Sequence, residues 1–305
     1  PSLVAEQEKI LKQIHRSIPK GIGVMVGAIV HNTSKRGKGF WNAAVFLEKG
    51  KKPKIFAKQL LPTYDVFDES RHIEPGQVMK NIFRFKGKRI LVTVCEDIWA
   101  WPSKQNPWYS NYGKNPLLQV KRGAVDLVLN LSASPFTQSK FGNRRRVTRS
   151  TVNHFRTPMV YVNLVGAQDE LIFDGGSFAL DAKGKILAQS VRFEEDLNVL
   201  DLKDAAGGMR ALPENDQEVL RSALVLGIRD FLHKTGFKKV HLGLSGGIDS
   251  ALVACLAADA LGPANVTAVF MPGPFSSKES LIWSKKLAEG LGLRFLNISI
   301  TEDYE

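Results

Sequence analysis

An α/β fold in two parts is predicted by three features of this chain. From residue 1 to about 200, short apolar runs bounded by turn residues alternate with helical stretches, a sandwich pattern in which sheets are covered on both faces. The stretch from Leu202 to Asn215, with its Ala-Ala-Gly-Gly run and Pro213, breaks that periodicity. Beyond it an apolar strand, a glycine turn and an Ala/Leu-rich helix follow one another as a βα unit.

The elements follow in order. Leu3, Ile10, Leu11 and Ile14 recur at helical spacing, which puts Glu6 and Glu8 in a first helix. Strands are expected over Gly23–Val30, Ala43–Leu47, Ile55–Lys58, Ile90–Cys95, Leu127–Leu131, Met159–Val165, Phe178–Leu180, Ile186–Ser190 and Asn198–Leu202. The run from Arg89 to Val94 is the near-continuous apolar pattern of a strand buried on both faces. After the break a helix is expected from about Gln217 to Thr235, with Val219, Leu224, Leu226 and Ile228 toward a second sheet. Val240 to Leu244 is its first strand, Ala251 to Leu261 a helix and Val266 to Met271 its second strand. A further helix leads to the closing segment, Leu293 to Glu305. This is less than a complete doubly wound nucleotide domain.

The 305 residues, 44% apolar, allow about two domains with real cores. The two cysteines, Cys95 and Cys255, have no disulfide-framework spacing, so a reducing, cytoplasmic setting is expected. Cys255 falls in an Ala/Leu helix and reads as packing. The six histidines show no metal-ligand spacing. No apolar run approaches the ~20 residues of a membrane span. The net charge of +12 is dispersed through segments read as loops, such as Lys49 to Lys54 and Arg144 to Arg149. No nucleic-acid-binding signature accompanies it, so no nucleic-acid partner is expected.

Two motifs carry chemistry. Ser245-Gly246-Gly247-Ile248-Asp249-Ser250 sits between a strand and a helix N-terminus. Turn glycines let the backbone approach an anion, and the first helical N–H groups point at it. The lysine of the common P-loop is missing. Two serine hydroxyls and one carboxylate suit a pyrophosphate with Mg²⁺, Asp249 being a hard oxygen ligand. The alternative is an ordinary glycine-rich turn. The second motif is Cys95-Glu96-Asp97-Ile98-Trp99 at the end of an apolar strand, where α/β folds put their ligands. A lone cysteine there is also compatible with a core residue. Lys58, which ends another apolar run, offers positive charge for a developing oxyanion.

The first motif, extended to Gly243-Leu244-Ser245-Gly246-Gly247-Ile248-Asp249-Ser250, resembles the pyrophosphate loop of the ATP-pyrophosphatase ligases. Met271-Pro272-Gly273-Pro274-Phe275-Ser276-Ser277 is similar to the family segment near the adenine. Cys95, Lys58 and the segment Lys58 to Glu69 resemble the nitrilase superfamily of carbon–nitrogen hydrolases, in particular the glutaminase domain of glutamine-dependent NAD synthetases. Asn130 to Phe136, Gly166 to Glu170, Phe173 to Ser177 and Phe193 to Leu197 add to it. The resemblance covers nearly the whole chain. It implies a nitrilase-type αββα sandwich over 1–203, a linker over 204–216, and from 217 to 305 the start of a doubly wound parallel-sheet domain. That second domain is Rossmann-like, of the adenine nucleotide α-hydrolase type, and only partly present.

The resemblance further implies that Cys95 attacks the glutamine amide to form a thioester and Lys58 stabilises the oxyanion. Tyr64, Ser134, Lys140 and Glu96 match positions that hold glutamine. For Tyr64 and Ser134 plain turn chemistry beside prolines is the other reading. Glu96 follows Cys95 directly, and adjacent strand residues face opposite ways. Gly243 to Ser250 and Met271 would hold ATP, with Asp249 on Mg²⁺. L-glutamine, deamido-NAD and ATP are the implied substrates, and a homo-oligomer the implied assembly. The family's general-base glutamate lies in an N-terminal strand ahead of Pro1, so the chain is expected to be incomplete at both ends. Glu69 is placed in a loop as a second acidic residue near the site. The rival readings are a stand-alone nitrilase-type amidase, another ATP-pyrophosphatase ligase such as a GMP synthetase, and a basic nucleic-acid-binding scaffold.

Overall fold

The computed structural model describes residues 2–34, 36–102, 112–202, 206–213 and 215–302. The chain divides into two compact units, Pro1–Leu164 with Gly175–Leu212, and Val165–Asp174 with Pro213–Glu305.

The first unit is built on two sheets. Helix α1 (Ser2–Ser17) leads into the antiparallel strands β1 (Gly23–His31), β2 (Phe40–Glu48) and β3 (Lys54–Ala57), in spatial order β1-β2-β3. Next come β4 (Ile82–Phe85), β5 (Lys88–Val94), β6 (Leu127–Ser132), α2 (Lys140–Phe155) and β7 (Met159–Asn163). β8 (Val165–Gln168) and β9 (Leu171–Asp174) form a hairpin that belongs to the other unit. β10 (Phe178–Leu180) and β11 (Ile186–Gln189) complete a six-stranded sheet in the order β11-β10-β7-β6-β5-β4.

Strand alternation explains the layering. In β2, Ala44 and Phe46 face a cluster with Phe56, Phe83, Ile90, Val92 and Val94 between the two sheets. Ala43, Val45 and Leu47 face the opposite way, toward Ile18, Leu11 and Ile14 of the α1 region. In β5 and β6, Leu91 and Val128 instead face Val147, Val152 and Phe155 of α2. Burial on both faces is why these strands read as continuous apolar runs. The result is helix, sheet, sheet, helix: the αββα sandwich the sequence predicts.

The second unit starts with α3 (Asp216–Thr235), after the short pair β12 (Leu200–Asp201) and β13 (Ala206–Gly207) of the first. Asn215 caps α3 by accepting from Glu218 N–H at 2.9 Å, and Gly236 ends it at φ 84°. The hairpin β8–β9 packs on α3: Ala167 N–H donates to Asp230 Oδ2 at 2.8 Å. Then come β14 (Val240–Gly243), α4 (Ile248–Leu261), β15 (Val266–Phe270), α5 (Lys278–Leu291) and β16 (Arg294–Asn297). The three strands are parallel, in the order β14-β15-β16. Two helical crossovers in succession are the beginning of a doubly wound sheet.

Three expectations need correction. The run Met159–Val165 is not one strand: it breaks at Leu164, and Val165 starts a hairpin in the other unit. Apolar patterning continues across the break, so it cannot signal the change of partner. Arg144 to Arg149 is not a loop but the middle of α2. Arginine is a good helix former, and the stripe of Val147, Thr148, Thr151, Val152 and Phe155 is buried at helical spacing. The segment read as linker, 204–216, contains β13; within it 204, 205 and 214 lie outside the described residues.

Candidate active site

β5, β6 and β7 are parallel, so the residues beyond their carboxyl ends gather along one edge of the sheet. The chain leaves β5 in a single 3₁₀ turn, Cys95–Ile98, and Cys95 itself takes φ 42°. A non-glycine residue in that region costs about 1–3 kcal/mol, and such strain concentrates at functional positions. The turn also changes the expectation for Glu96. It is not on a strand, so strand alternation does not turn it away.

Lys58 follows β3 directly and is only 2% exposed. Its Nζ donates to Glu69 Oε1 at 2.7 Å, and Asn42 Nδ2 donates to Glu69 Oε2 at 3.2 Å. Burial pulls the Lys58 ammonium down, but the charges of Cys95, Glu69 and Asp97 and the Glu69 hydrogen bond outweigh it, leaving the pKa above the ordinary lysine value. For Cys95, burial pushes the thiol up; Lys58 pulls it back, Glu96 and Glu69 raise it, and the Ser132 hydroxyl lowers it. The net is upward, so the resting group is a thiol, and Lys58 is the charge that favours its thiolate.

Glu96 is buried and accepts two phenol hydroxyls on Oε1, Tyr64 at 2.9 Å and Tyr112 at 2.6 Å. Burial and the Glu96 charge raise both phenols far above their usual range, so both act as donors. Lys140, the first residue of α2, has Nζ 4.5 Å from the centre of the Trp99 ring. Burial lowers its pKa, while the charges of Glu96 and Cys95 oppose that. Ser134 lies past the end of β6. Its N–H donates to Asn163 Oδ1 at 3.0 Å, and its carbonyl accepts from Arg144 Nη2 at 2.6 Å. Arg144 Nε donates to Ser134 Oγ at 3.2 Å. Lys58, Cys95 and Glu96 thus share one charged cluster with Tyr64 and Lys140, while Ser134 is held on a buried guanidinium.

Three residues of this neighbourhood, Tyr112, Asp97 and Arg144, carry no sequence signal of their own, while Glu69, expected in a loop, opens a single 3₁₀ turn, Glu69–Arg71. Asp97 and Arg144 are polar residues buried inside elements of ordinary pattern, 0% and 1% exposed.

In the second unit, the turn Leu244–Gly247 joins β14 to α4. Gly246 has φ 83° and Gly247 is the N-cap of α4, with no side-chain cap. The first N–H groups of α4 therefore keep their capacity for an anion. Ser245 Oγ and Ser250 Oγ lie 2.9 Å apart, and Ser250 Oγ donates to Gly247 O at 3.1 Å. Asp249 is in the first turn of α4. Leu244 is buried and contributes only backbone; its carbonyl accepts from Ser284 Oγ at 3.0 Å. Met271 reaches back over Gly243, its Cε 3.3 Å from where a Gly243 Cβ would stand. Among the described residues no three His, Cys, Asp or Glu side chains gather to hold a metal. One carboxylate beside a phosphate cradle is nonetheless a donor set that fits Mg²⁺, which commonly combines one or two carboxylates with substrate phosphates.

A Cys at a strained turn beside a buried Lys–Glu pair points to amide chemistry, and residues 5–211 match the family model described as carbon-nitrogen hydrolase. The chain belongs to that family. Residues 220–305 match the NAD synthase family model. Over 98% of its length the chain is 42% identical to the glutamine-dependent NAD(+) synthetase of Synechocystis, covering 55% of that protein. The corresponding enzyme of Aquifex aeolicus is 34% identical over 100% of this chain and 57% of its own. The solved glutamine-dependent NAD+ synthetase of Acinetobacter baumannii, in complex with ADP, superposes with a TM-score of 0.85 at 32% identity, over 99% of this chain and 55% of that one. The chain thus spans about half the length of the relatives it matches. No helix among the described residues is long and apolar enough to cross a membrane.

Proposed function

We propose that this carbon-nitrogen hydrolase unit supplies ammonia from L-glutamine to the NAD synthase unit, which amidates deamido-NAD to NAD at the expense of ATP. The observation that carries the reading is the buried Lys58–Glu69 pair acting on the Cys95 thiol. Cys95 Sγ attacks the side-chain amide carbon of glutamine, and the carbonyl oxygen takes up the negative charge beside the Lys58 ammonium. The tetrahedral adduct collapses with loss of ammonia, the thiol proton leaving with the nitrogen. Water then hydrolyses the thioester to glutamate and regenerates the thiol. Glu96, Tyr64, Ser134 and Lys140 bind and orient glutamine.

In the second unit, Gly243 to Ser250 and Met271 hold ATP, and Asp249 contributes a ligand to Mg²⁺, which supplies neutralisation of phosphate charge. The carboxylate of deamido-NAD displaces pyrophosphate to form an adenylate, and ammonia displaces AMP. Ammonia is mostly protonated in water at neutral pH, a reason for passing it on within a homo-oligomeric enzyme. The cytoplasm suits a chain whose Cys95 and Cys255 are both free thiols.

The test is NAD formation by the complete protein from deamido-NAD and ATP, with glutamine or ammonium as donor. Cys95→Ala is expected to abolish synthesis from glutamine and leave the ammonium route within about twofold, since only the thioester step needs the thiol. Equal loss of both routes in a folded variant would refute this division of labour.

A further inference from the structure

We propose that Asp97 is a positioning residue that holds Lys58 and Cys95 in register, an inference that rests on the glutaminase reading above. Its carboxylate is 0% exposed and accepts three backbone N–H groups. Oδ1 takes those of Gln59 and Leu60, both at 2.9 Å, and Oδ2 takes that of Val94 at 2.9 Å. Gln59 and Leu60 are the two residues after Lys58; Val94 is the residue before Cys95. One side chain therefore ties down the backbone on the far side of the lysine and on the near side of the nucleophile.

The need for such a tie follows from the sheet topology. Lys58 leaves the three-stranded sheet and Cys95 leaves the six-stranded one, and among the described residues no hydrogen-bonded ladder joins the two. The sheets meet through apolar side chains, Phe56, Phe83, Ile90, Val92 and Val94 among them. Apolar contact is non-directional and does not by itself fix how far one sheet slides over the other. The Asp97 bonds are directional and cross that boundary. Asn81, which precedes β4, adds a companion contact by donating Nδ2 to Ala57 O at 2.9 Å.

Only a carboxylate answers all three donors. An amide at this position keeps one acceptor oxygen and turns an NH₂ toward either Val94 N–H or the Gln59–Leu60 pair, so Asp97→Asn must release one side of the tie. Release on either side lets the Lys58 ammonium drift from the thiol. The groups that act on Cys95 are Lys58 and Glu69 from the β3 side and Glu96 from its own turn. Tyr64, Tyr112, Lys140, Tyr161 and the Ser132 hydroxyl complete the set. Of these, Lys58 contributes the largest pull toward thiolate.

The experiment compares the complete wild-type protein, Asp97→Asn and Cys95→Ala. The pH profile of Cys95 alkylation by iodoacetamide is followed on the Cys95 peptide, and kcat is measured with glutamine and with ammonium. The alkylation midpoint of Asp97→Asn is expected to rise by on the order of one pH unit, as a nearby cation is lost. Its kcat with glutamine should fall about 10- to 100-fold, the scale of an ångström of misplacement. The ammonium route should stay within about twofold. Local unfolding would do the opposite to the midpoint, lowering it toward that of a free thiol. A lowered or unmoved midpoint, or retained glutamine turnover, overturns the proposal. Failure of the wild type to use glutamine at all would instead sink the glutaminase reading, and the alkylation midpoint would still judge the tie. A measurement without a variant guards against a misfolded one: in the wild type, the Gln59 and Leu60 amides should exchange with deuterium as slowly as those of β5, although both lie outside any strand. Loop-like exchange there refutes the tie.

Discussion

Replacing Gly246 with alanine puts a methyl group where the backbone of Ser280 already lies. An ideal Cβ on Gly246 would stand 2.6 Å from Ser280 O, 2.8 Å from Ser280 Cα and 3.1 Å from Ser280 C. None of these is the free end of a side chain, so relief requires the first turn of α5 to move away from the glycine turn. Ser284, one turn further along α5, donates to Leu244 O, so that movement strains a buried hydrogen bond as well. The φ of 83° adds a second cost, about 1–2 kcal/mol for a residue with a Cβ. Overpacking contributes a further ~1–3 kcal/mol. The expected destabilisation is therefore about 2–5 kcal/mol, read by urea unfolding, with loss of NAD synthesis from ammonium. Gly247→Ala is the control. Its φ of −88° is ordinary and its Cβ would meet only Ser245 Oγ at 3.5 Å. It should cost about 1 kcal/mol or less, the scale of a poorer N-cap. A Gly246→Ala protein within about 0.5 kcal/mol of wild type would refute this packing argument, that being the range of an inconsequential substitution.

Other expectations follow from the first unit. Glu69→Gln keeps the shape but removes the charge paired with Lys58; a fully buried broken pair costs about 3–5 kcal/mol, and with a fifth of the Glu69 side chain exposed, about 2 kcal/mol is expected in denaturation, with a fall in glutamine turnover. Unchanged turnover would remove Glu69 from the site. Tyr112→Phe and Tyr64→Phe each delete one donor on Glu96, at about 1.5–3 kcal/mol for a bond to a charged acceptor; each should raise KM for glutamine at least about tenfold with little change in kcat, and an unchanged KM would clear that phenol of any part in binding. Burial pushes the Asp97 carboxyl up to about 6, against three backbone hydrogen bonds and the Lys58 charge that lower it. From its ordinary value of 3.8 to about 6 the folded state holds a proton the unfolded state has lost, so stability falls as pH rises through that window, by about 3 kcal/mol. Asp97→Asn lacks this contribution, so the stability of wild type minus variant should drop by about that amount between pH 3.5 and 7; a flat difference would refute the shift.

The parallel strands were legible because burial on both faces leaves its mark in the residue types themselves. Arg89 to Val94 and Leu127 to Leu131 could hardly be anything else. The glycine turn at Ser245 to Ser250 was equally plain, since its strand and helix flank it within a few residues. Arg144 was misread because charge in a polar run suggests solvent; burial against Ser134 depends on a partner ten residues away. Glu69 was seen as an acidic residue near the site, but its bond to Lys58 depends on how the intervening loop closes.

What the amino-acid order determined by itself is whatever repeats or turns locally: two α/β units, the positions of Lys58 and Cys95 at strand ends, and a glycine turn leading into a helix start. What only the tertiary structure decided is which polar groups meet. Glu69 on Lys58, Tyr64 and Tyr112 on Glu96, and Asp97 on Gln59, Leu60 and Val94 are mostly pairings across 11 to 38 residues. The hairpin Val165–Asp174 likewise joins α3 across more than 60 residues. The physical reason is one of range. Periodicity records the face each residue shows its own element, while a hydrogen bond between elements needs the packed core to bring donor and acceptor within 3 Å.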